Sequence, residues 1–313
     1  GIIPFWKLFQ AAVKSCSQGA MRGGAATVFY PLWHLEVESL LVLKNNRGVE
    51  ENRIRQLDYG VQINGYMYKR LTKNIPISLF SPNDVPGLYD AFFADQDEFA
   101  RLYEMYEADH SIKRKVIPAL DIFSSIGGER ASTGRIYIQN VDHCNTNSPF
   151  DPTVAPIRQS NLCLEIALPT KPLVGGYGKD RDDGEIALCT LAAFNLGEMH
   201  DDSDIEECAE LAVRALDEIL DFQDYPHPAA LHAKGRRALG IGVVNYAYYL
   251  AKHGFNYSSE NGNQLTHELF ESIQYYCLKA SNKLAAEKGV CDYYHETSYS
   301  KGVMPIDRYY KNT

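Results

Sequence analysis

Residues 159–169 read Gln159-Ser160-Asn161-Leu162-Cys163-Leu164-Glu165-Ile166-Ala167-Leu168-Pro169. In an extended segment alternate side chains share a face, so Asn161, Cys163 and Glu165 project to one side while Leu162, Leu164 and Ile166 pack to the other. A thiol, a carboxylate base and a hydrogen-bonding amide then converge on one space. Gln159-Ser160 is turn-like, and Ile166 to Leu168 reads as a short strand stopped by Pro169. The pattern predicts a polar trio at the tip of a loop that runs into a strand. The competing reading is a core cysteine between leucines, since free cysteine is among the most buried residue types. That reading buries Asn161 and Glu165 without partners, at a cost of several kcal/mol.

Working outward, strand-like and helical stretches alternate. Ile136-Tyr137-Ile138 and Leu164 to Leu168 are strand-like, and Ile186 to Leu191 reads as a strand after the polar, glycine-bearing loop Gly175 to Gly184. Strands joined by such a loop can pair antiparallel, which would bring Cys189 near Cys163. Taken alone, Cys189 reads as a small apolar strand residue. Upstream, a helix to about Ser15 is followed by the loop Cys16-Ser17-Gln18-Gly19-Ala20-Met21-Arg22-Gly23-Gly24 and a strand from Ala26 to Tyr30. Helices are expected at Leu35 to Lys44 and at Glu51 to Leu71, the latter with Ile54, Leu57, Val61 and Met67 near one face. Pro86 to Tyr106 and Ile112 to Ile126 read as an amphipathic outer layer. Downstream, Ser203-Asp204-Ile205-Glu206 reads as a capping box opening a helix with Ile205, Cys208, Ala212, Leu216 and Ile219 as its stripe. Further helices are expected at Arg236 to Lys252 and Leu265 to Lys288. Strands separated by helices predict an α/β fold, a barrel or a wound sheet.

Composition excludes several classes. With 313 residues, 45% hydrophobic and 23% charged, the chain is ordinary globular material. A net charge of −9, with cations scattered among acids, lacks the basic stripe of a nucleic-acid groove. No run approaches the roughly 20 apolar residues of a membrane span, and no basic-then-apolar leader is present, so the expectation is a soluble, cytoplasmic protein. The seven cysteines include no Cys-x-x-Cys pair, which argues against both a disulfide framework and structural zinc. His143-Cys144 has no second ligand at metal spacing, so no metal is expected. The 16–24 loop carries one cation, Arg22, suited to a phosphate or a base edge; by composition alone the loop is equally a mobile connection. The start at Gly1, running into Ile2-Ile3-Pro4-Phe5-Trp6, reads as part of a longer chain.

The stretch Arg158 to Ile166, followed by Gly184-Glu185-Ile186-Ala187-Leu188-Cys189-Thr190-Leu191 and Phe194-Asn195-Leu196-Gly197, closely resembles the catalytic large subunit of class I ribonucleotide reductase, of the aerobic bacterial or phage type. So do Arg22-Gly23-Gly24-Ala25-Ala26 with Trp33-His34, Glu129 to Arg135 with Asn140-Val141-Asp142-His143, and Arg236 to Gly242. These motifs stand in the family's order and span nearly the whole chain. The resemblance implies part of a ten-stranded α/β barrel with the active cysteine, Cys163, on an internal finger loop. It implies that Cys163 becomes a thiyl radical and takes the 3′ hydrogen of a ribonucleotide, with Glu165 as base at the 3′ hydroxyl and Asn161 orienting both. Cys189 matches one of two cysteines that reduce the substrate radical and end as a disulfide. The loop of Cys16, Ser17, Gln18, Gly19, Arg22, Gly23 and Gly24 matches the specificity loop between a deoxynucleotide effector and the substrate base.

The implied partners are a metal-containing small subunit that supplies the radical, a second large subunit in a dimer, a thioredoxin- or glutaredoxin-type reductant, ribonucleoside diphosphates, and ATP or deoxynucleotide effectors. No directly bound cofactor, nucleic acid or membrane is expected, and a phage-encoded chain would act in the host cytoplasm. The family's partner for Cys189 lies upstream of the matching segment, and its tyrosine relay lies downstream. Residues 1–313 are therefore expected to be one incomplete catalytic barrel domain, lacking the amino-terminal regulatory domain and the carboxy-terminal part and acting with complementary segments. A catalytically inactive nucleotide-binding or assembly fragment of the same subunit is the alternative, and a thiol hydrolase using Cys163 is a weaker one.

Overall fold

The computed structural model describes residues 1–174, 184–199, 201–304 and 306–307. They cluster into two compact units, one formed mainly by Gly1–Pro169 and the other by Thr170–Lys301. The expected loop from Gly175 to Gly184 lies outside the described residues except for its last glycine.

The first unit opens with helix α1 (Ile3–Ser15), the hairpin β1 (Ser17–Gln18) and β2 (Arg22–Gly23), strand β3 (Thr27–Pro31), the short α2 (Val37–Leu41) and strand β4 (Asp58–Ile63). It continues through α3 (Gly65–Thr72), β5 (Ile77–Phe80), α4 (Leu88–Ala94), α5 (Gln96–Ala108), β6 (Arg114–Ile117), α6 (Ala119–Thr133), β7 (Tyr137–Asn140) and α7 (Val141–Thr146). Its sheet has the order β3-β4-β7 with both pairings parallel, while β5 and β6 pair antiparallel. The central strand β4 is buried from Tyr59 to Ile63, as a parallel strand covered on both faces should be.

That strand lies inside the helix expected from Glu51 to Leu71. Ile54, Leu57, Val61 and Met67 recur at helical spacing, but Tyr59, Val61 and Ile63 are residues that favour strands. At the centre, a Cβ on Gly60 would lie 2.7 Å from the Phe29 ring and 3.0 Å from Tyr137 Cβ. Glycine is what lets the neighbouring strands pack there. The strand reading of Ile136 to Ile138 corresponds to β7, whereas the Leu35 to Lys44 helix shrinks to α2.

The amphipathic outer layer is corrected in two ways. Asp95 ends α4 and caps α5, accepting hydrogen bonds from Asp97 N and Glu98 N, and β6 interrupts the span read as a helix from Ile112. Nor is this layer peripheral: Phe92, Phe93, Phe99 and Tyr103 are buried in the principal core. Trp33 meets Phe92 edge-on at 6.0 Å between ring centres, and Phe80 meets Tyr103 edge-on at 5.4 Å. Edge-to-face contacts of this kind add to the apolar burial that anchors the sheet.

The second unit contains β8 (Leu191–Asn195), α8 (Asp202–Phe222), α9 (His232–Arg236), β9 (Gly240–Val244), α10 (Tyr246–Lys252) and α11 (Glu260–Lys288). β8 pairs parallel with β9, from Leu191↔Gly240 to Asn195↔Val244. Ion pairs Lys279–Glu206, Lys283–Glu210 and Arg214–Glu287 step in the same direction along α11 and α8, so these helices run parallel. Asp201, not Ser203, caps α8, accepting from Ser203 N at 2.8 Å and Asp204 N at 3.3 Å. Ile205, Ala209, Val213, Leu216 and Leu220 form its buried stripe, shifted from the expected one. The helix expected from Arg236 to Lys252 contains β9, because Ile241, Val243 and Val244 form a strand flanked by short helices.

The fold is mixed α/β. Among the described residues the strands form separate sheets with no closed ring, and no helix is long and apolar enough to cross a membrane.

Candidate functional site

The Cys163 segment is a closed turn. Leu164 N donates to Asn161 O, Asn161 N donates to Ile166 O, both at 3.3 Å, and Ser160 and Ala167 form an antiparallel bridge at its neck. The Asn161 side chain completes the closure: its Oδ1 accepts from Ile166 N and from Ser160 Oγ, each at 3.2 Å. Leu164 adopts the left-handed conformation, φ 65°, which reverses the chain.

The extended alternation expected across residues 161–165 is therefore absent, and so is the strand from Leu164 to Leu168. A left-handed residue at the fourth position replaces them. The polar residues nonetheless occupy one short turn: Cys163 and Glu165 are exposed at its surface, and Asn161 is half-buried within it. Since the Asn161 carbonyl oxygen is committed to the turn, its NH2 group is the part of the amide that can face a ligand.

The sheet holds this turn at several points. Buried Gln62 in β4 lies opposite Gln139 in β7 and donates to Gln139 Oε1 at 2.9 Å and to Arg158 O at 2.7 Å. Thr27, the first residue of β3, donates from its hydroxyl to Leu162 O at 2.6 Å. Buried Asn145 donates to Ile157 O at 2.9 Å and accepts from Ile157 N at 2.8 Å. Arg158 pairs with Asp90 at 2.8 Å and lies over the Phe93 ring. Beyond the turn, Ala167 and Leu168 pack on a small core of Phe150, Ala155 and Ile157. Partial burial pushes the Tyr137 hydroxyl up, and Asp58, Cys163 and Glu165 add to that shift, so Tyr137 senses the turn from β7.

Gln62, Thr27 and Asn145 did not stand out in the sequence. Gln62 carried a usable signal, being an uncharged polar residue between Val61 and Ile63 in an otherwise apolar run. Thr27 carried none, because its partner is remote in sequence and is a backbone carbonyl.

The glycine-rich loop forms the β1–β2 hairpin, with Ser17 opposite Gly23 and Gln18 opposite Arg22. Gly19 and Ala20 take left-handed conformations at its tip. Its neck is closed by Gly24 N donating to Cys16 O at 2.8 Å and by Lys14 Nζ donating to Gly24 O at 3.0 Å. A Cβ on Gly24 would fall 2.0 Å from Val13 O, so only glycine fits that closure. Cys16, Ser17, Gly19, Arg22 and Gly23 are exposed.

Cys189 lies in the second unit. The strand expected from Ile186 to Leu191 is not formed: β8 begins at Leu191, and residues 186–190 lead into it without regular structure. The antiparallel bridge of this region joins Lys171 to Glu185. Buried Glu185 pairs with Arg236, which also meets Glu296 at 3.1 Å and lies over the Tyr293 ring at 4.5 Å.

The cysteines divide by burial. Cys16, Cys163 and Cys189 are exposed, whereas Cys144, Cys208, Cys277 and Cys291 are partly covered. Burial pushes each of the latter thiols up. The exposed set comprises the cysteines that the sequence singled out for chemistry or for the loop.

The whole chain, residues 1–313, matches the family model for the ribonucleotide reductase barrel domain. It is 67% identical over 313 residues to ribonucleoside-diphosphate reductase 1 subunit alpha of Escherichia coli and 64% identical over 313 residues to the subunit alpha of Haemophilus influenzae. Identity to the subunit alpha of Enterobacteria phage T4 is 55% over 314 residues. The matches cover 99–100% of this chain and 41% of each relative, so the chain spans about two-fifths of their length. The chain belongs to the ribonucleotide reductase family and corresponds to a barrel-domain segment of its alpha subunits.

Proposed function

We propose that the chain is the central part of a ribonucleoside-diphosphate reductase large subunit, and that its Cys163 turn performs the radical step on the ribose. The observation that carries this reading is the turn itself, which presents an exposed thiol and an exposed carboxylate from a backbone locked by Asn161. Oxidised to a thiyl radical, Cys163 takes the 3′ hydrogen atom, forming an S–H bond and leaving the unpaired electron on the sugar carbon. Glu165 takes the proton of the 3′ hydroxyl, and the Asn161 NH2 group donates to the sugar hydroxyls. Cys189, with a second cysteine from elsewhere in the subunit, supplies the reducing electrons and ends in a disulfide.

The remaining family features belong to the same reading. The strands described here form part of the ten-stranded barrel, with the turn on its finger loop. The β1–β2 hairpin is the specificity loop, where Arg22 reports which ATP or deoxynucleotide effector is bound. A metal-containing small subunit supplies the oxidising equivalent, a second large subunit completes the dimer, and a thioredoxin- or glutaredoxin-type protein reduces the disulfide. The site of action is the cytoplasm.

The test is Cys163→Ser in the full-length subunit reconstituted with its small subunit. Deoxynucleotide production should vanish while effector binding persists, because a hydroxyl O–H bond is too strong to carry the radical reversibly. Substantial turnover by the serine variant would refute the assignment.

A further inference from the structure

The bond from Thr27 to the Cys163 turn spans 135 positions of sequence. It reaches the carbonyl of Leu162, which belongs to the peptide unit joining Leu162 to Cys163. That unit is planar, so its carbonyl oxygen and the Cys163 Cα lie in one rigid plate. A hydrogen bond holding the oxygen fixes the tilt of the plate, and the tilt sets the direction in which the Cys163 thiol leaves the backbone. The bond measures 2.6 Å, a normal length for a hydroxyl donor.

The donor's position in the chain is as informative as the bond. Thr27 stands three residues after Gly24, where the 16–24 hairpin is stitched to Cys16 and Lys14. Between them, Ala26 O accepts from Asp58 N at 2.9 Å, the first link of the β3–β4 ladder. Thr27 is thus the first strand residue beyond the loop, with its backbone in the sheet register opposite Asp58 and its side chain on the turn. A change of the hairpin that twists Gly24 to Ala26 reaches this hydroxyl through very few peptide units. Gln62 holds Arg158 from the next strand and is remote from the hairpin in sequence, so it steadies the turn without that link.

We propose that Thr27 is a positioning residue that passes the state of the 16–24 loop to the Leu162–Cys163 peptide, and so couples effector identity to the aim of the thiol. This rests on the reading of Cys163 as the radical residue and of the loop as the effector reporter. Effector control would then act on the rate of the chemical step as well as on which base is accepted.

The experiment uses the full-length subunit with its small subunit and compares Thr27→Val, Thr27→Ala and Thr27→Ser with the parent and with Cys163→Ser. Valine keeps the shape and strand preference of threonine but cannot donate. Thr27→Val and Thr27→Ala should each lower kcat by about tenfold with the matched effector, consistent with loss of one hydrogen bond. Both should narrow the spread of kcat among effectors, while substrate KM and effector affinity remain at parent values. Thr27→Ser, which keeps the hydroxyl, should restore both kcat and the spread.

Parent-like kcat and effector response in Thr27→Val would overturn the proposal. So would equal losses in Thr27→Ser and Thr27→Val, or a loss in only one of the valine and alanine variants, since the hydroxyl would not be the cause. Cys163→Ser separates the levels: turnover by that variant defeats the underlying reading, whereas its inactivity beside a normal Thr27→Val defeats only the role of Thr27.

Discussion

The Cys163 turn and the 16–24 hairpin belong to the same unit, yet their backbones are held in contrasting ways. The turn is closed within itself by backbone bonds and the Asn161 side chain, and gripped from outside by Thr27 and Gln62. The hairpin is short, exposed and carries left-handed residues at its tip, with its side-chain tether at the neck. A closed turn suits a group that must be aimed, because swinging the Cys163 Cα–Cβ bond would break several backbone bonds together. A hairpin tied at its neck suits a sensor, because its tip can rearrange while its base stays in register. On the proposed reading, aim and sensing fall to different segments, with Thr27 as the link between them.

Substitutions on each side can break or sharpen this contrast. The largest effect after loss of Cys163 is expected at Glu165. Glu165→Gln in the complete enzyme should lower kcat by about 10²–10⁴-fold, the usual contribution of a general acid–base group. Base preference should not change. Steady-state turnover on each of the substrates reads both quantities, and an unchanged rate or an altered preference would blur the division of labour.

Arg22→Ala should do the reverse. Effector-dependent discrimination among bases should fall by about fivefold or more, in the range typical of coupling between sites. The rate on the best-tolerated substrate should fall less. Competition assays with mixed substrates at fixed effector measure this, and parent-like discrimination would make the hairpin a mere connection.

The smallest effect is chemical. Only the thiolate is nucleophilic, and each unit by which a thiol's pKa rises cuts the thiolate fraction about tenfold at a given pH below it. Burial raises Cys144, Cys208, Cys277 and Cys291. Iodoacetamide at mildly alkaline pH should therefore label Cys16, Cys163 and Cys189 of the 313-residue chain first, with the other four accelerating only as pH is raised further. Peptide mass spectrometry over time gives the order. Early labelling of Cys208 or Cys277 would show that the helices α8 and α11 open more readily than their ion-pair ladder suggests.

Much of this arrangement was legible in the sequence, and the losses have identifiable causes. Pro86 to Tyr106 reads as amphipathic, but amphipathicity alone does not say that α4 and α5 bury Phe92, Phe93, Phe99 and Tyr103 in the main core. β4 was hidden because Ile54, Leu57, Val61 and Met67 fall at helical intervals by coincidence, and the ladder to Phe29 and Tyr137 outweighs that local pattern. β9 was hidden between α9 and α10, where a five-residue strand offers little periodicity to read. At the site, Asn161, Cys163 and Glu165 occupy one short turn instead of one face of an extended segment. Alternation assumes an extended backbone, and the left-handed Leu164 replaces it with a turn. Gln62 carried a signal only as a polar residue in an apolar run, and the partners of Thr27, Gln62 and Asn145 were out of reach because each tether ends on a backbone carbonyl distant in sequence or across a loop.

The bridge between Lys171 and Glu185 has a practical corollary. Its two backbone bonds, 3.1 and 3.0 Å long, join the ends of an intervening stretch, and Arg236 clamps the Glu185 side of that junction. Glu185 is buried, so a change that discharges Arg236 would leave its carboxylate short of an ion-pair partner. Edits to the chain ahead of Cys189 should therefore leave Arg236 and Glu185 untouched.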